Sequence, residues 1–121
     1  MEQQFHDNLK FKMDALAHLV YEMTRDFPRE ETYGVTSQLR RSALSVVLNY
    51  IEGYARRKPA VQLNFYEISY GSAQEVKYLL EFCREEKYIS IEDFNIGNKL
   101  INEISAMLWT EISHLSKKLS E

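Results

Sequence analysis

The segment from residue 36 to residue 55 restricts the fold more than any other part of the sequence. Its apolar residues recur with the period of a helix, about 100° per residue, and form two adjacent zones. The zones consist of Leu39, Ala43, Val46 and Tyr50 on one side and of Leu44, Val47, Leu48 and Ile51 on the other. Together they cover about half of the circumference, which is wider than the stripe of a helix that faces a single core. We therefore expect this helix to contact its own bundle on one side and another subunit on the other.

Three further segments show apolar residues at helical spacings, which predicts one helix each. These helices cover about residues 5–27, residues 59–86 and residues 90–121. The chain has only four glycines and two prolines, so it has little turn chemistry to separate many strands. Short loops between amphipathic helices make sequential helices antiparallel neighbours. The sequence therefore predicts an all-α, antiparallel up-down-up-down four-helix bundle that forms a single domain over residues 1–121.

Single residues predict two helix N-caps and one close contact between helices. Thr36 or Ser37 is expected to be the N-cap of the second helix, and Ser90 that of the last helix. Their hydroxyl oxygens can accept a hydrogen bond from an otherwise unpaired backbone N–H group. Gly71 in the middle of the third helix costs about 1 kcal/mol relative to alanine, which indicates the close approach of a neighbouring helix.

Four polar residues lie within or beside the apolar faces, and these are Arg40, Asn49, Glu52 and Glu75. Buried ion pairs and amide networks of this kind usually fix the register of packed helices rather than catalyse a reaction. We therefore expect these side chains to have a structural role in the bundle.

The basic residues are concentrated in one part of a chain whose formal net charge is −3. Residues 33–58 contain a single acid, Glu52, and their basic residues are Arg40, Arg41, Arg56, Arg57 and Lys58. The acidic balance of the whole chain argues against indiscriminate binding of nucleic acid, whereas the local excess is compatible with a binding patch. Two interpretations of the last three residues stay open. They complement the C-terminal dipole of the second helix, or they contact RNA, DNA or another anion.

No constellation of catalytic or metal-binding residues stands out in the sequence. The three histidines lack ligand spacing, and residues 111–114 form only one Glu-x-x-His copy, where a di-iron bundle needs two copies and two more glutamates. No glycine-rich phosphate loop is present, and the serines lack a recognisable base partner. Cys83, the only cysteine, falls on an apolar helical face and is expected to be buried. The sequence thus predicts a protein without a metal, another cofactor or enzymatic activity.

The sequence also bears on the cellular compartment. Residues 1–4 are polar and acidic, unlike the basic start of a signal peptide. No segment approaches the roughly 20 apolar residues that span a bilayer. The single cysteine is compatible with a reducing compartment. We therefore expect a cytoplasmic protein that does not contact a membrane.

Three groups of residues together resemble one known family. They read FPxxExYGxTSQLRRSA over residues 27–43, NxxEGxxR over residues 49–56 and GSAxE over residues 71–75. This combination is similar to the four-helix bundle proteins encoded in intervening sequences of bacterial large-subunit ribosomal RNA genes. The same family contains the accessory variability determinant of diversity-generating retroelements. The resemblance extends from the first helix to the end of the last.

The resemblance implies a four-helix bundle that assembles into a ring-shaped homopentamer without a known enzymatic activity. It further implies binding of nucleic acid and of a reverse transcriptase through a basic surface, as in the retroelement members. The candidates for that surface here are Arg40, Arg41, Arg56, Arg57 and Lys58. The functional prediction is therefore a non-enzymatic homo-oligomeric scaffold that binds nucleic acid or assists a reverse transcriptase. The alternative is a protein–protein interaction module that binds no nucleic acid and uses the basic cluster only at its helix end.

Overall fold

The computed structural model describes residues 2–121, which form four long α-helices and one short 3₁₀ helix. The α-helices are α1 (Glu2–Thr24), α2 (Val35–Tyr54), α3 (Pro59–Glu85) and α4 (Ile91–Ser120), and the 3₁₀ helix is Arg29–Glu31. α1 packs against α2 and α4, and α3 packs against the same two helices, so sequential helices are neighbours. No strand occurs within residues 2–121. The predicted all-α, up-down-up-down four-helix bundle is confirmed.

The core lies between the four helices and is formed by the apolar stripe of each. Its largest side chains with almost no exposed surface are Leu9, Met13, Leu16, Leu39, Tyr50, Leu80, Ile101, Ile104 and Leu108. Burial of a side chain of this size stabilises the fold by about 1.5–3 kcal/mol relative to exposure. Cys83 is buried as predicted. Burial raises its pKa to about 11, so the thiol stays protonated near neutral pH.

The two apolar zones of α2 have different environments. The zone of Leu39, Ala43, Val46 and Tyr50 is buried in the core. In the other zone Leu44 and Val47 are partly buried, whereas 60% of Leu48 and 41% of Ile51 remain exposed. Residues 42–51 include no charged side chain. We call Leu44, Leu48 and Ile51, which follow each other at spacings of four and three, the outer face of α2. Its contact with another subunit stays a prediction.

The start of α2 differs from the prediction that Thr36 or Ser37 caps it. The helix begins at Val35, and Gly34 occupies the N-cap position without a side-chain hydrogen bond. Oε1 of Glu31 accepts the hydrogen bond from the Val35 N–H instead, at 3.1 Å. A Cβ atom on residue 34 would lie 2.6 Å from this oxygen, so glycine leaves the space that the carboxylate needs. The capping oxygen therefore comes from the preceding turn, and the Thr36 hydroxyl is buried without a partner among the described residues.

The connection between α3 and α4 closes one helix and caps the next. Lys87 follows the C-cap of α3 in the left-handed region, with a φ of 63°. The N–H groups of Lys87 and Tyr88 bond carbonyl groups of the last helical turn at 3.0 and 2.8 Å, which is a Schellman motif. Ser90 is the N-cap of α4, as predicted, because its Oγ accepts from the N–H of Asp93 at 3.1 Å.

Close approach of helices occurs at two glycines, but Gly71 is not one of them. A Cβ atom at Gly71 would meet no atom within 4 Å, so the prediction of helix contact at this position is wrong. At Gly53 a Cβ atom would lie 2.7 Å from the Tyr66 ring, and at Gly97 it would lie 3.1 Å from Leu80. The two glycines that permit close helix packing therefore lie towards the two ends of the bundle.

A row of polar side chains runs along the contact between α2 and α3. The hydrogen bonds join Ser42 to Glu75 (3.0 Å), Ser45 to Ser72 (2.7 Å), and Ser69 to the carbonyl oxygen of Val46 (2.6 Å). Asn49 extends the row, since its side-chain amide donates to the carbonyl oxygen of Ser45 at 2.9 Å. Hydrogen-bonded pairs at fixed positions resist sliding of one helix along the other, because a shift would leave them unpaired. Of the four polar residues singled out in the sequence, Asn49 and Glu75 belong to this row, and Glu52 is exposed.

Candidate functional site

Three of the five predicted binding residues form the loop between α2 and α3. Arg56, Arg57 and Lys58 are all exposed and line a shallow groove of about 270 Å³. Arg56 is partly engaged, because its Nη2 donates to Glu52 at 3.0 Å and its guanidinium lies 5.4 Å from the centre of the Phe65 ring. Within residues 2–121, no ion pair or side-chain hydrogen bond involves Arg57 or Lys58. These two cations can therefore meet an incoming anion without breaking an existing contact.

The other two predicted residues lie elsewhere on α2. Arg40 connects α2 to α1, since its Nε donates to Thr24 Oγ1 at 2.7 Å and its guanidinium lies 4.6 Å from the centre of the Tyr21 ring. Arg41 is exposed but precedes Tyr54 by thirteen residues. At about 1.5 Å per residue this separation corresponds to about 20 Å along the helix. The structure thus brings Arg56–Lys58 together but does not place Arg40 and Arg41 in the same patch of one subunit.

A cavity of about 590 Å³ lies at the same end of the bundle as the basic loop. The antiparallel order brings the N-terminal turns of α1 and α3 and the C-terminal turns of α2 and α4 to this end. Aromatic side chains form much of the wall: Phe5, His6, Tyr54 and Tyr66. Glu111 of α4 belongs to the lining as well. We call this space the end cavity.

The aromatic side chains of the end cavity are stacked on one another. The His6 ring lies 3.5 Å from the Tyr54 ring with 14° between their planes, and its Nδ1 is 2.9 Å from the hydroxyl oxygen of Tyr50. Tyr50 in turn stacks on Tyr66 with ring centres 5.1 Å apart. Burial raises the pKa of both buried tyrosines and lowers that of His6, so all three groups stay neutral at neutral pH. The aromatic part of the wall is therefore uncharged but polar.

Glu111 is the half-buried acid of the end cavity. Burial raises the pKa of its carboxyl group, the charge of Glu2 raises it further, and His114 acts in the opposite direction. No hydrogen bond or ion pair joins the Glu111 carboxylate to another group within residues 2–121. A carboxylate that has lost part of its hydration without gaining a partner is costly to keep ionised. The Glu111 carboxylate therefore favours either a proton or a cation as its partner.

The single Glu-x-x-His copy of the sequence lies at this cavity. Glu111 and His114 both belong to its lining. Nevertheless, no three His, Cys, Asp or Glu side chains within residues 2–121 are grouped so that they could hold a metal ion. None of the helices in the same range is both long enough and apolar enough to cross a membrane.

The end cavity was not predicted from the sequence because its parts are far apart in the chain. His6 precedes Tyr50 by 44 residues, and the two meet only when α1 packs on α2. A weak local signal existed, since Tyr50 and Tyr54 stand four residues apart and so project from the same side of a helix. That pair indicates an aromatic surface, but it gives no sign of the acid on α4.

These features define an all-α bundle with an exposed apolar helix face, a basic interhelical loop and an aromatic cavity at one end. The chain belongs to the family of 23S rRNA-intervening sequence proteins, whose family model matches residues 9–110. The resemblance to the intervening-sequence family is thereby confirmed, whereas the link to its retroelement members stays a prediction.

A solved structure from Bacteroides thetaiotaomicron has the same fold. It is described as a protein with unknown function from the S23 ribosomal protein family, and it superposes on this chain with a TM-score of 0.82. The alignment covers 90% of this chain and 98% of that chain at 24% sequence identity. At this identity the likeness concerns the fold alone. No curated protein is significantly similar to the chain.

Proposed function

We propose that the protein is a non-enzymatic scaffold that assembles through the outer face of α2 and binds nucleic acid through Arg56, Arg57 and Lys58. The observation that carries the proposal is the outer face itself, where 60% of Leu48 and 41% of Ile51 are exposed in a single subunit. Contiguous exposed apolar surface commonly marks a site of protein association. Removal of both side chains from water would stabilise an assembly.

The neighbouring helix supports the same surface. Ile68 of α3 is 44% exposed, and its helical position places it on the side of α3 next to α2. An apolar surface that spans two helices can be covered by the matching surface of another copy. The family resemblance implies five copies in a ring, and we adopt the pentamer as the proposed assembly.

The basic loop follows the outer face of α2 directly in the chain. A ring of subunits therefore repeats the charges of Arg57 and Lys58 at regular intervals around its axis. Such repetition supports binding of a polyanion by a protein whose net charge is −3 per subunit, because each loop brings three cations together. Binding of this kind releases counterions and weakens steeply as the salt concentration rises.

Light scattering tests the assembly. We expect the unaltered protein to have the mass of about five subunits at micromolar concentration, and we expect Leu48→Glu to dissociate it, because a charge would be buried at the contact. Phe11→Glu is the matched control, since Phe11 is 73% exposed on α1 and lies outside the outer face of α2. A monomeric mass for the unaltered protein would contradict the proposal.

Titration with single-stranded RNA and DNA at two salt concentrations tests the binding surface. The double variant Arg57→Glu/Lys58→Glu should bind more weakly than the unaltered protein. Neutral replacements at the same positions should lower the slope of log affinity against log salt by about 1 per residue. Lys77→Glu/Lys99→Glu changes the same charge on exposed parts of α3 and α4 and should bind like the unaltered protein. Equal affinities for both glutamate variants would contradict a role of the loop.

One observation favours a second candidate function, a protein–protein interaction module without nucleic-acid binding. Arg56 is already paired with Glu52 and lies over Phe65, as expected for a residue that stabilises the end of α2. This alternative expects Arg56→Ala and Arg57→Ala to lower the unfolding temperature while no nucleic acid binds even at low salt.

The partner class implied by the resemblance is a reverse transcriptase. Co-purification with a reverse transcriptase encoded beside the gene tests that partner.

A further inference from the structure

We propose that the end cavity binds a small organic cation, an amine joined to an apolar or aromatic body. This site is separate from the outer face of α2 and does not depend on the proposed scaffold function. Its volume of about 590 Å³ lies within the range of about 300–1,000 Å³ that is common for small-molecule sites. Glu111, the aromatic wall and the balance of charge around them would select the ligand.

Glu111 provides the counter-charge. Glu111 is one of the residues that line the cavity, and no group within residues 2–121 forms a hydrogen bond or an ion pair with its carboxylate. Hydrogen bonds between an ammonium group and a carboxylate are among the stronger ones in proteins. An amine in the cavity would restore the interactions that the carboxylate loses on burial. The carboxylate therefore favours a cationic ligand over a neutral one of the same shape.

The aromatic wall favours the same ligand. Ammonium groups are attracted to the faces of aromatic rings, and apolar ligand groups pack well against them. His6 stacks on Tyr54 at 3.5 Å, yet 42% of Tyr54 remains exposed. The ring of Tyr54 therefore still offers surface to a ligand. Tyr66, which is almost fully buried, closes the wall on the side of α3.

The charged groups around the cavity select for a cation. Two carboxylates belong to the lining, Glu2 from α1 and Glu111 from α4, and they are accompanied by one ammonium group, that of Lys118. Lys118 forms no ion pair with Glu111 within 4.0 Å. Besides Glu111, the titratable residues of the lining are Glu2 and His6 from α1, Tyr54 from α2, Tyr66 from α3, and His114 and Lys118 from α4. An anion would add to the existing negative charge.

Calorimetric titration with three probes of one shape tests the site: benzylammonium, neutral benzyl alcohol and anionic benzoate. We expect benzylammonium to bind most tightly and benzoate to bind least. Glu111→Gln should weaken benzylammonium binding by about tenfold or more, as for the loss of a charge-assisted hydrogen bond, and leave benzyl alcohol unchanged. Glu103→Gln is the matched control, since Glu103 lies on α4 in an ion pair with Lys12 outside the cavity.

Other outcomes would overturn the proposal. Benzyl alcohol binding as tightly as benzylammonium would show that the carboxylate does not select the ligand. Equal benzylammonium affinity of the Glu103→Gln and Glu111→Gln variants would contradict the role of Glu111. If Glu111→Gln fails to fold, the pH dependence of binding to the unaltered protein tests the same role. Its affinity for benzylammonium should fall as the pH drops, because Glu111 takes up a proton. None of these measurements depends on the mass of the assembly or on nucleic acid.

Discussion

Tyr66 of α3 packs directly on the backbone of Gly53 in α2, so closely that a Cβ atom at residue 53 would lie 2.7 Å from the ring. This contact fixes the distance between the two helices beside the end cavity. It also places Tyr66 beneath Tyr50, on which the aromatic stack is built. The glycine of the NxxEGxxR motif, which helped to indicate the family, is therefore also needed for the packing of α3 on α2.

Gly53→Ala should destabilise the protein by about 1–3 kcal/mol, because overpacking forces Tyr66 or the backbone to move. Gly71→Ala is the matched control in a helix interior with no atom within 4 Å of the new Cβ. It should stabilise the protein by about 0.5–1 kcal/mol through helix propensity. Urea unfolding of both variants measures the difference. Equal effects would mean that Tyr66 does not restrict residue 53.

Glu31→Ala should lower the free energy of unfolding by about 1 kcal/mol, the usual loss for a removed N-cap. The carboxylate caps Val35 at 3.1 Å and also accepts from the hydroxyl of Tyr88 at 3.3 Å. Glu30→Ala removes an acid of the same 3₁₀ helix that is exposed and forms neither contact. Chemical denaturation of the Glu31→Ala and Glu30→Ala variants separates the loss of the helix cap from the loss of a negative charge. Identical midpoints for the two variants would refute the capping role.

Arg40→Ala should destabilise the bundle by about 1–2 kcal/mol, since it removes a hydrogen bond to Thr24 and a cation–π contact with Tyr21. Arg41→Ala, one residue further along and exposed, should change stability by less than about 0.5 kcal/mol. Thermal unfolding at constant salt compares the two. A larger loss in Arg41→Ala would show that Arg40 is not the arginine that joins α1 to α2.

Lys87→Gly should raise the free energy of unfolding by up to about 1 kcal/mol. Lys87 has a φ of 63°, a left-handed conformation that costs about 1 kcal/mol for a residue with a Cβ atom and little for glycine. The hydrogen bonds of the Schellman motif involve only the backbone and are unaffected. Differential scanning calorimetry is a suitable measurement. An unchanged or lower unfolding temperature would count against strain at this residue.

The pH dependence of stability should report the raised pKa of Glu111. A carboxyl group whose folded-state pKa is above its unfolded value contributes stability below the unfolded pKa, and this contribution is lost as pH rises through the folded pKa. The unaltered protein should therefore lose stability relative to Glu111→Gln as the pH rises from 4 to 7. The unfolding free energy of the variant minus that of the unaltered protein should increase over this range. Glu103→Gln serves as the reference. A difference that stays constant over this range would exclude a raised pKa.

The sequence was sufficient to predict the fold because hydrophobic periodicity is a local property of each helix. The buried zone of α2 and the N-cap Ser90 follow from residues close to each other in the chain. Two local predictions failed for the same reason. The cap of α2 comes from Glu31 rather than Thr36, and the space around Gly71 is open, because other parts of the chain decide both.

The candidate site was only partly predictable, for a related reason. The loop Arg56–Lys58 is continuous in sequence, and its charges are visible there. Arg40 appeared equivalent to these residues, yet only the structure shows that it packs on Thr24 and Tyr21 of α1; its part in binding stays a prediction. The end cavity combines residues from all four helices. Its existence depends on the relative heights at which the helices end, which periodicity does not determine.

The antiparallel order of the helices has a practical consequence for anyone who produces the protein. Residues 2 and 118 both line the end cavity, so a tag inserted before residue 2 or after residue 118 would lie beside it and near the basic loop. A polyhistidine tag would bring metal-binding and protonatable groups next to Glu111, and a basic tag would add a polyanion-binding segment next to Arg57. The exposed side chain of Lys87 lies in the loop at the opposite end of the bundle, so a label on this side chain stays away from the cavity and the basic loop.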